Sequence, residues 1–138
     1  MNLVAEYRLL NAPAEMRQIE DWIRSFANAA RLSPAARNAF DHALVEWITN
    51  VIAYAYDDDR EHWIEIRFLT DQSQARVEVE DDGREFNPLT RPPVDTTVPL
   101  EQRAVGGLGI HMVRHMMDSV EYRRNAGRNI LTMTRRVA

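Results

Sequence analysis

Cysteine is absent from this chain, which removes disulfides, thiolate zinc sites and cysteine nucleophiles from consideration. No stretch approaches the roughly 18 apolar residues that a membrane-spanning helix needs. The opening Met1-Asn-Leu-Val-Ala-Glu6 has neither the basic start nor the apolar run of a secretory leader. A cytoplasmic protein without membrane contact is therefore expected. Basic excess is also lacking: 17 basic against 21 acidic side chains give a net charge of -4, whereas a nucleic-acid binder needs a basic stripe. No Gly-Lys-Ser/Thr follows a glycine cluster and no glycine fingerprint follows an early strand, so P-loop and Rossmann phosphate grips are excluded. Internal repeats and low-complexity tracts are missing. What remains is a composition of 45% apolar and 28% charged residues over 138 positions, enough for one domain, 1–138, with a substantial core.

Periodicity gives the element order. Residues 3–10 read as a first strand, and Pro13 opens a helix over 14–30 carrying Met16, Ile19, Ile23, Phe26 and Ala30 on one side. Ser33-Pro34 is an N-cap followed by proline at the first helical position, starting a second helix that runs to about Tyr56. Two alternating runs, Trp63 to Phe68 and Ala75 to Val79, form an antiparallel hairpin. Residues 87–105 contain four prolines and little periodicity; a loop of that length in a small domain is expected to be a functional lid, at about 87–106. A helix then starts around Gly107–Gly109, and strands 119–124 and 129–136 follow. The order β-α-α-β-β-lid-α-β-β does not alternate strictly, which argues against a doubly wound sheet. The expected class is α+β, a two-layer sandwich of a mostly antiparallel mixed sheet with helices on one face.

Three separated segments carry the chemistry. On a wheel of the second helix, Phe40, Leu44, Ile48, Val51, Ile52 and Ala55 form the apolar face, while Glu46 and Asn50 share a stripe flanked by Ala39, Ala43 and Ala53. Small neighbours there leave room for something to come close. An isolated Glu-x-x-x-Asn pair is most often a solvated helix face. Its functional reading is an amide oxygen for Mg2+ and a carboxylate that orients or deprotonates an attacking hydroxyl. Asp81-Asp82-Gly83 ends a strand; as a plain turn it is ordinary, but Asp81 is also a good acceptor for an exocyclic amino group, and Gly83 lets a flat base sit against the backbone. Phe86 and Pro88 close that turn with apolar surface. Gly106, Gly107 and Gly109, with Leu108 between the last two, either hinge the preceding loop or supply N–H donors at a helix N-terminus, where anions are favoured. Of the histidines, His111 and His115 are four apart without an apparent third metal ligand, and all four read as surface or partly buried residues. Met112, Met116 and Met117 read as core.

Together these segments resemble the Bergerat-type ATP-binding superfamily of gyrase-like ATPases, heat-shock chaperone ATPases, sensor histidine kinases and bacterial anti-sigma-factor serine kinases. Glu46 to Tyr56 resembles the first motif, which implies Asn50 as Mg2+ ligand, Glu46 as general base and Ala53 near the ATP. Asp81-Asp-Gly-Arg-Glu-Phe-Asn-Pro88 resembles the second, with Asp81 on the adenine amino group and Gly83 and Phe86 beside it. Gly107-Leu108-Gly109 resembles the phosphate-holding glycine motif at the end of the lid. Asn129 falls near a position that supports adenine in relatives, and Arg103 in the lid is either a γ-phosphate contact or a solvated loop residue, the second weighing more. Asn50-Val-Ile-Ala-Tyr-Ala-Tyr56 and Gly106 to Val120 are most similar to the anti-sigma-factor serine kinases. That resemblance implies transfer of the ATP γ-phosphate to a Ser or Thr of an anti-anti-sigma (STAS-type) protein, binding of a sigma factor or other switch partner, and often a homodimer. Tyr54 stands where the family commonly has His, and Asn87 where Asp is usual. The competing readings are a nucleotide-gated adaptor without phosphotransfer and a detached histidine kinase catalytic domain.

Overall fold

The computed structural model describes residues 1–90 and 107–138. The remainder of the expected lid, with Arg103 and Gly106, lies outside the described residues.

Strand β1 (Asn2–Leu10) leads through a 3-10 turn (Pro13–Arg17) into helix α1 (Gln18–Ala30). The expected helix from residue 14 thus begins as 3-10 and becomes α-helical only at Gln18. Ala12 is extended and provides no side-chain cap, so the first turn tightens to satisfy its own N–H groups. Arg31 ends α1 in the left-handed conformation, φ 56° and ψ 47°, donating its N–H to Ala27 O. Helix α2 (Pro34–Tyr54) starts as expected, with Ser33 Oγ accepting from Ala36 N at 3.0 Å. It stops two residues before Tyr56. There the Ala55 carbonyl accepts from Arg84 N, 2.9 Å away on the turn after β3 (Gln74–Asp81).

The sheet order is β1-β2-β3-β5-β4, where β2 is Trp63–Thr70, β4 is Ser119–Asn125 and β5 is Arg128–Arg136. Every neighbouring pair is antiparallel, so the sheet is more uniform than the mixed one expected. Alternation sorts the faces. Ile64, Ile66 and Phe68, then Ala75, Val77 and Val79, then Leu131 and Met133 are buried against the helices. On the other face Arg67 pairs with Glu65, Glu78 and Glu80, and Arg128 pairs with Glu80 and Glu65. Phe26 links the layers, 4.7 Å from the Phe68 ring and 6.1 Å from that of Phe40.

Helix α2 is enclosed more fully than the wheel suggested. Its expected apolar face is buried, Ile52 only partly, but Ala36, Ala39, Ala43 and Trp47 are buried too, because α2 also packs on α1 and on α3 (Gly107–Met116). The small residues Ala39 and Ala43 therefore serve helix packing instead of leaving open space, and Ala53 is exposed. The buried stripe of α3 is Ile110 and Val113, continued by Met117 just past the helix end, at spacings of three and four. Met112 falls on the opposite side and is 46% exposed, which corrects its assignment to the core.

Candidate nucleotide site

Two polar residues enter the core side of the sheet by simple period-two continuation. Asp81 extends the series Ala75, Val77, Val79, and Asn129 extends Met133, Leu131. The register places them directly opposite each other. Both are buried, Asp81 to 1% exposure and Asn129 to 3%. Buried polar groups need partners, and here the partners are one another: Asn129 Nδ2 donates to Asp81 Oδ1 at 2.9 Å, and Gly83 N donates to the same oxygen at 2.9 Å. Burial pushes the Asp81 carboxyl above its ordinary value, and these two donors oppose that rise by favouring the ionised form. Asp81 Oδ2 accepts no hydrogen bond among the described residues.

A second polar pair sits on α2. Asn50, 8% exposed, donates Nδ2 to the Glu46 carbonyl at 2.8 Å and to Glu46 Oε1 at 3.2 Å. The amide nitrogen is thereby occupied on the helix, and among the described residues Oδ1 has no hydrogen-bond partner. A hard divalent cation binds oxygen of that kind, so Asn50 fits Mg2+. Among the described residues no group of three or more His, Asp or Glu side chains could hold a metal, so protein ligands to such an ion would be few. This suits a cation carried chiefly by phosphates and water.

The first turn of α3 meets this pair. A Cβ added to Gly109 would fall 1.6 Å from Glu46 Oε1; only a glycine permits α3 to start against the carboxylate. The first turn of α3 thus lies against Glu46, which itself contacts Asn50, and the N–H groups of a helix's first turn are the donors that an anion site uses. Gly107 and Leu108 belong to the same turn. Gly83 differs from its expected role. Its missing Cβ would lie 2.6 Å from both Cβ and O of Ala55, so this glycine lets the β3 exit turn close onto the end of α2 and presents no open face to a base.

Asn50, Asp81 and Asn129 line one cavity together with Trp47, Val51, Tyr54, Ala55 and Phe86. Its volume is about 10 Å³, room for one water-sized sphere, because Phe86 lies over the Trp47 ring at 5.9 Å and 13°. A larger groove, about 660 Å³, runs between the outer sides of α1 and α2 past Met16, Ile23 and Arg37. It contains no buried polar side chain, so the smaller cavity is the better candidate despite its size. Ala53 and Gly83 do not line that smaller cavity. Asn87 accepts from Leu89 N at 2.9 Å and caps its own turn.

Several site neighbours were not anticipated. Trp47, three residues before Asn50, forms the apolar wall. Tyr122 and Arg124, alternate residues of β4, reach Asn129 Oδ1 at 2.6 and 3.0 Å; the series Val120, Tyr122, Arg124 was the available signal. His62, one of the four scattered histidines, bridges Asp58 at 2.8 Å and Asp82 at 3.1 Å and stacks on Tyr56 at 4.3 Å. Its pKa is raised, first by the bond to Asp58. Burial and then the charges of Asp81 and Asp82 push the Tyr56 hydroxyl up. His111 and His115 are exposed, with their Nε2 atoms 3.1 Å apart.

A buried acid on a strand exit, a helix amide with a free oxygen and a glycine-lined helix start, on a five-stranded antiparallel sheet, define a histidine kinase-like ATPase fold. Residues 9–135 match the histidine kinase-like ATPase domain family, and the chain belongs to that family. It is 28% identical over 103 residues to the serine-protein kinase RsbW of Listeria monocytogenes, covering 72% of this chain and 66% of that protein. Identity to RsbW of Bacillus pumilus is 31% over 91 residues, covering 62% and 56%. The serine/threonine-protein kinase BtrW of Bordetella bronchiseptica is 23% identical over 113 residues, covering 82% and 80%. The chain thus spans from just over half to about two thirds of the length of those RsbW relatives. The RsbU and RsbW domains of Rv1364c from Mycobacterium tuberculosis superpose with a TM-score of 0.68 at 15% identity, covering 97% of this chain and 33% of that one. The histidine kinase domain of a blue-light activated kinase from Erythrobacter litoralis gives 0.55 at 15%, covering 88% and 60%. Both likenesses concern the fold. Among the described residues no helix is long and apolar enough to cross a membrane.

Proposed function

We propose that this chain is an ATP- and Mg2+-dependent protein serine/threonine kinase of the cytoplasm, a partner-switching regulator that phosphorylates an anti-anti-sigma protein of the STAS type and engages a sigma factor or equivalent. The observation that carries the reading is the contact set Gly109–Glu46–Asn50 opening onto the cavity that Asn50 shares with Asp81. Asp81 Oδ2 takes the adenine amino group, and Phe86 leaves Trp47 to admit the ring. Asn50 Oδ1 would hold Mg2+, which would supply neutralising charge to the phosphates. N–H groups of the Gly107–Gly109 turn hold phosphate oxygens. Glu46 accepts the proton of the incoming serine hydroxyl as its oxygen bonds to the γ-phosphorus and the bond to the β–γ bridging oxygen breaks, releasing ADP. The names of the relatives, serine-protein kinase and serine/threonine-protein kinase, support a hydroxyl acceptor.

The test is Glu46→Gln. ATP affinity by calorimetry should hold within about threefold, while transfer falls by about 10² or more, the usual worth of a positioned base. The phosphate on the partner should be acid-stable, as on serine or threonine. Acid-labile phosphate would move the assignment to a histidine kinase catalytic domain. ATP binding without transfer to any STAS-type partner would leave a nucleotide-gated adaptor.

A further inference from the structure

Only one oxygen of Asp81 remains for a ligand, and the cause lies on the edge strand β4. Asn129 is an amide that could present either end to Asp81. Its Nδ2 donates to two acceptors, Asp81 Oδ1 at 2.9 Å and the Arg84 carbonyl at 2.8 Å. Its Oδ1 accepts from three donors: the Tyr122 hydroxyl at 2.6 Å, the Arg124 guanidinium at 3.0 Å and Phe86 N at 3.4 Å. Turned over, four of these five contacts would set like against like, and only the Tyr122 hydroxyl could turn to accept. The same Arg124 nitrogen donates to the Gly83 carbonyl at 2.8 Å and so also braces the turn carrying the second donor to Asp81 Oδ1.

We propose that Tyr122 and Arg124 are positioning residues that act through Asn129 to set which purine the site accepts. They hold the Asp81 carboxylate still, with one lone oxygen aimed as an acceptor at an amino group on purine C6. A 6-oxo purine then brings acceptor against acceptor, leaving two desolvated groups unpaired. A carboxylate free to turn could instead take the N1–H of the 6-oxo ring; a braced one cannot. The inference rests on the ATP reading above and extends it to residues that touch no ligand.

The experiment compares dissociation constants of Mg·ATP and Mg·ITP by calorimetry for the whole chain, for Tyr122→Phe/Arg124→Gln and for Arg123→Gln. Arg123 lies next to Arg124 but on the other face of β4. The wild type should prefer ATP, and the double variant should lose about tenfold of that ratio, the worth of one hydrogen bond to a charged group. Arg123→Gln should keep the ratio. Tyr122→Phe alone removes a single hydroxyl and should move the ratio in the same direction, which covers a double variant that does not fold. A wild type that binds no ATP overturns the nucleotide reading and the brace with it. ATP binding with a ratio unmoved in the Tyr122 and Arg124 variants, or moved equally by Arg123→Gln, overturns the brace alone. A purely structural role would weaken both nucleotides alike.

Discussion

One methyl group at Gly109 separates catalysis from stability. In Gly109→Ala the new Cβ would lie 1.6 Å from Glu46 Oε1, 2.1 Å from Cδ and 2.6 Å from Cγ. Ordinary contact begins at 3.4 Å, so Oε1 must retreat by at least 1.8 Å, the difference between 3.4 and 1.6. All three atoms belong to the outer part of a long, partly buried side chain, so rotation of Glu46 is expected to suffice without movement of the α3 backbone. Alanine is meanwhile favoured over glycine inside a helix by roughly 0.5–1 kcal/mol. Stability should therefore hold or rise slightly, by up to about 3 °C in Tm.

Transfer behaves differently. The displaced carboxylate loses its 3.2 Å contact with Asn50 Nδ2 and the position from which it would meet a serine hydroxyl. Displacement of a reacting group by about 1 Å costs on the order of 10²-fold. ATP affinity should change little, since Asp81 and Asn129 lie at the other end of the site. The assays are single-turnover transfer from ATP to the STAS-type partner, calorimetry with Mg·ATP, and thermal unfolding of the same preparation. Transfer within about threefold of wild type, in a protein whose Tm is unchanged, would refute Glu46 as the base. A fall of more than about 5 °C would instead show that Glu46 is too tightly held to retreat.

Two further outcomes follow from packing and charge. Gly83→Ala places a Cβ 2.6 Å from Ala55 Cβ and from the Ala55 carbonyl, neither of which can swing away; the expected cost is about 1–3 kcal/mol, read as a drop of roughly 3–10 °C in thermal unfolding, and an unchanged Tm would refute the close approach. The pKa of His62 is raised first by the Asp58 bond and then by Asp82, against the opposing effect of burial, with the Tyr56 ring stacked against it. Its contribution is complete below the ordinary histidine value of about 6.5 and fades as pH rises through the raised folded value. Asp58, held below its ordinary value by the same bond, keeps its charge into the acid range. The Tm gap between wild type and His62→Gln should be widest near pH 6 and narrow as pH rises above the ordinary histidine value; a constant gap would refute the pairing.

Much of the fold was legible because local signals and the global arrangement agree. Ser33-Pro34 fixes the start of α2, and period-two alternation fixes β2, β3 and their shared face. The end of α2 was misplaced because it is set by a tertiary bond, Arg84 N to Ala55 O, that no local pattern announces. Enclosure of Ala39 and Ala43 was missed for a related reason: a helical wheel shows where one apolar stripe lies, but not that α1 and α3 cover further sides. The two glycines illustrate the same limit. Sequence marks Gly83 and Gly109 as places where something approaches closely. The structure assigns the close approach to Ala55 in one case and to Glu46 in the other.

The finest level of the site could not be read from residue types, because it depends on which atom of each side chain the protein itself engages. Asn50 is an amide with a donor end and an acceptor end; its helix takes the donor end through Glu46 and leaves an oxygen. Asp81 has two equivalent oxygens; Gly83 N and Asn129 Nδ2 take one and leave the other. Both residues line the same cavity, and in each the atom left unengaged among the described residues is an acceptor oxygen. An oxygen can meet a cation or an amino hydrogen but repels a bare phosphate, so neither residue fits the anionic end of a nucleotide. On the proposed reading, phosphate is expected along the helix start at Gly107–Gly109, which lies against Glu46 and is of the kind that favours anions. The proposed order of base, cation and phosphate thus rests on hydrogen bonds that the protein forms within itself, at Asp81 and at Asn50.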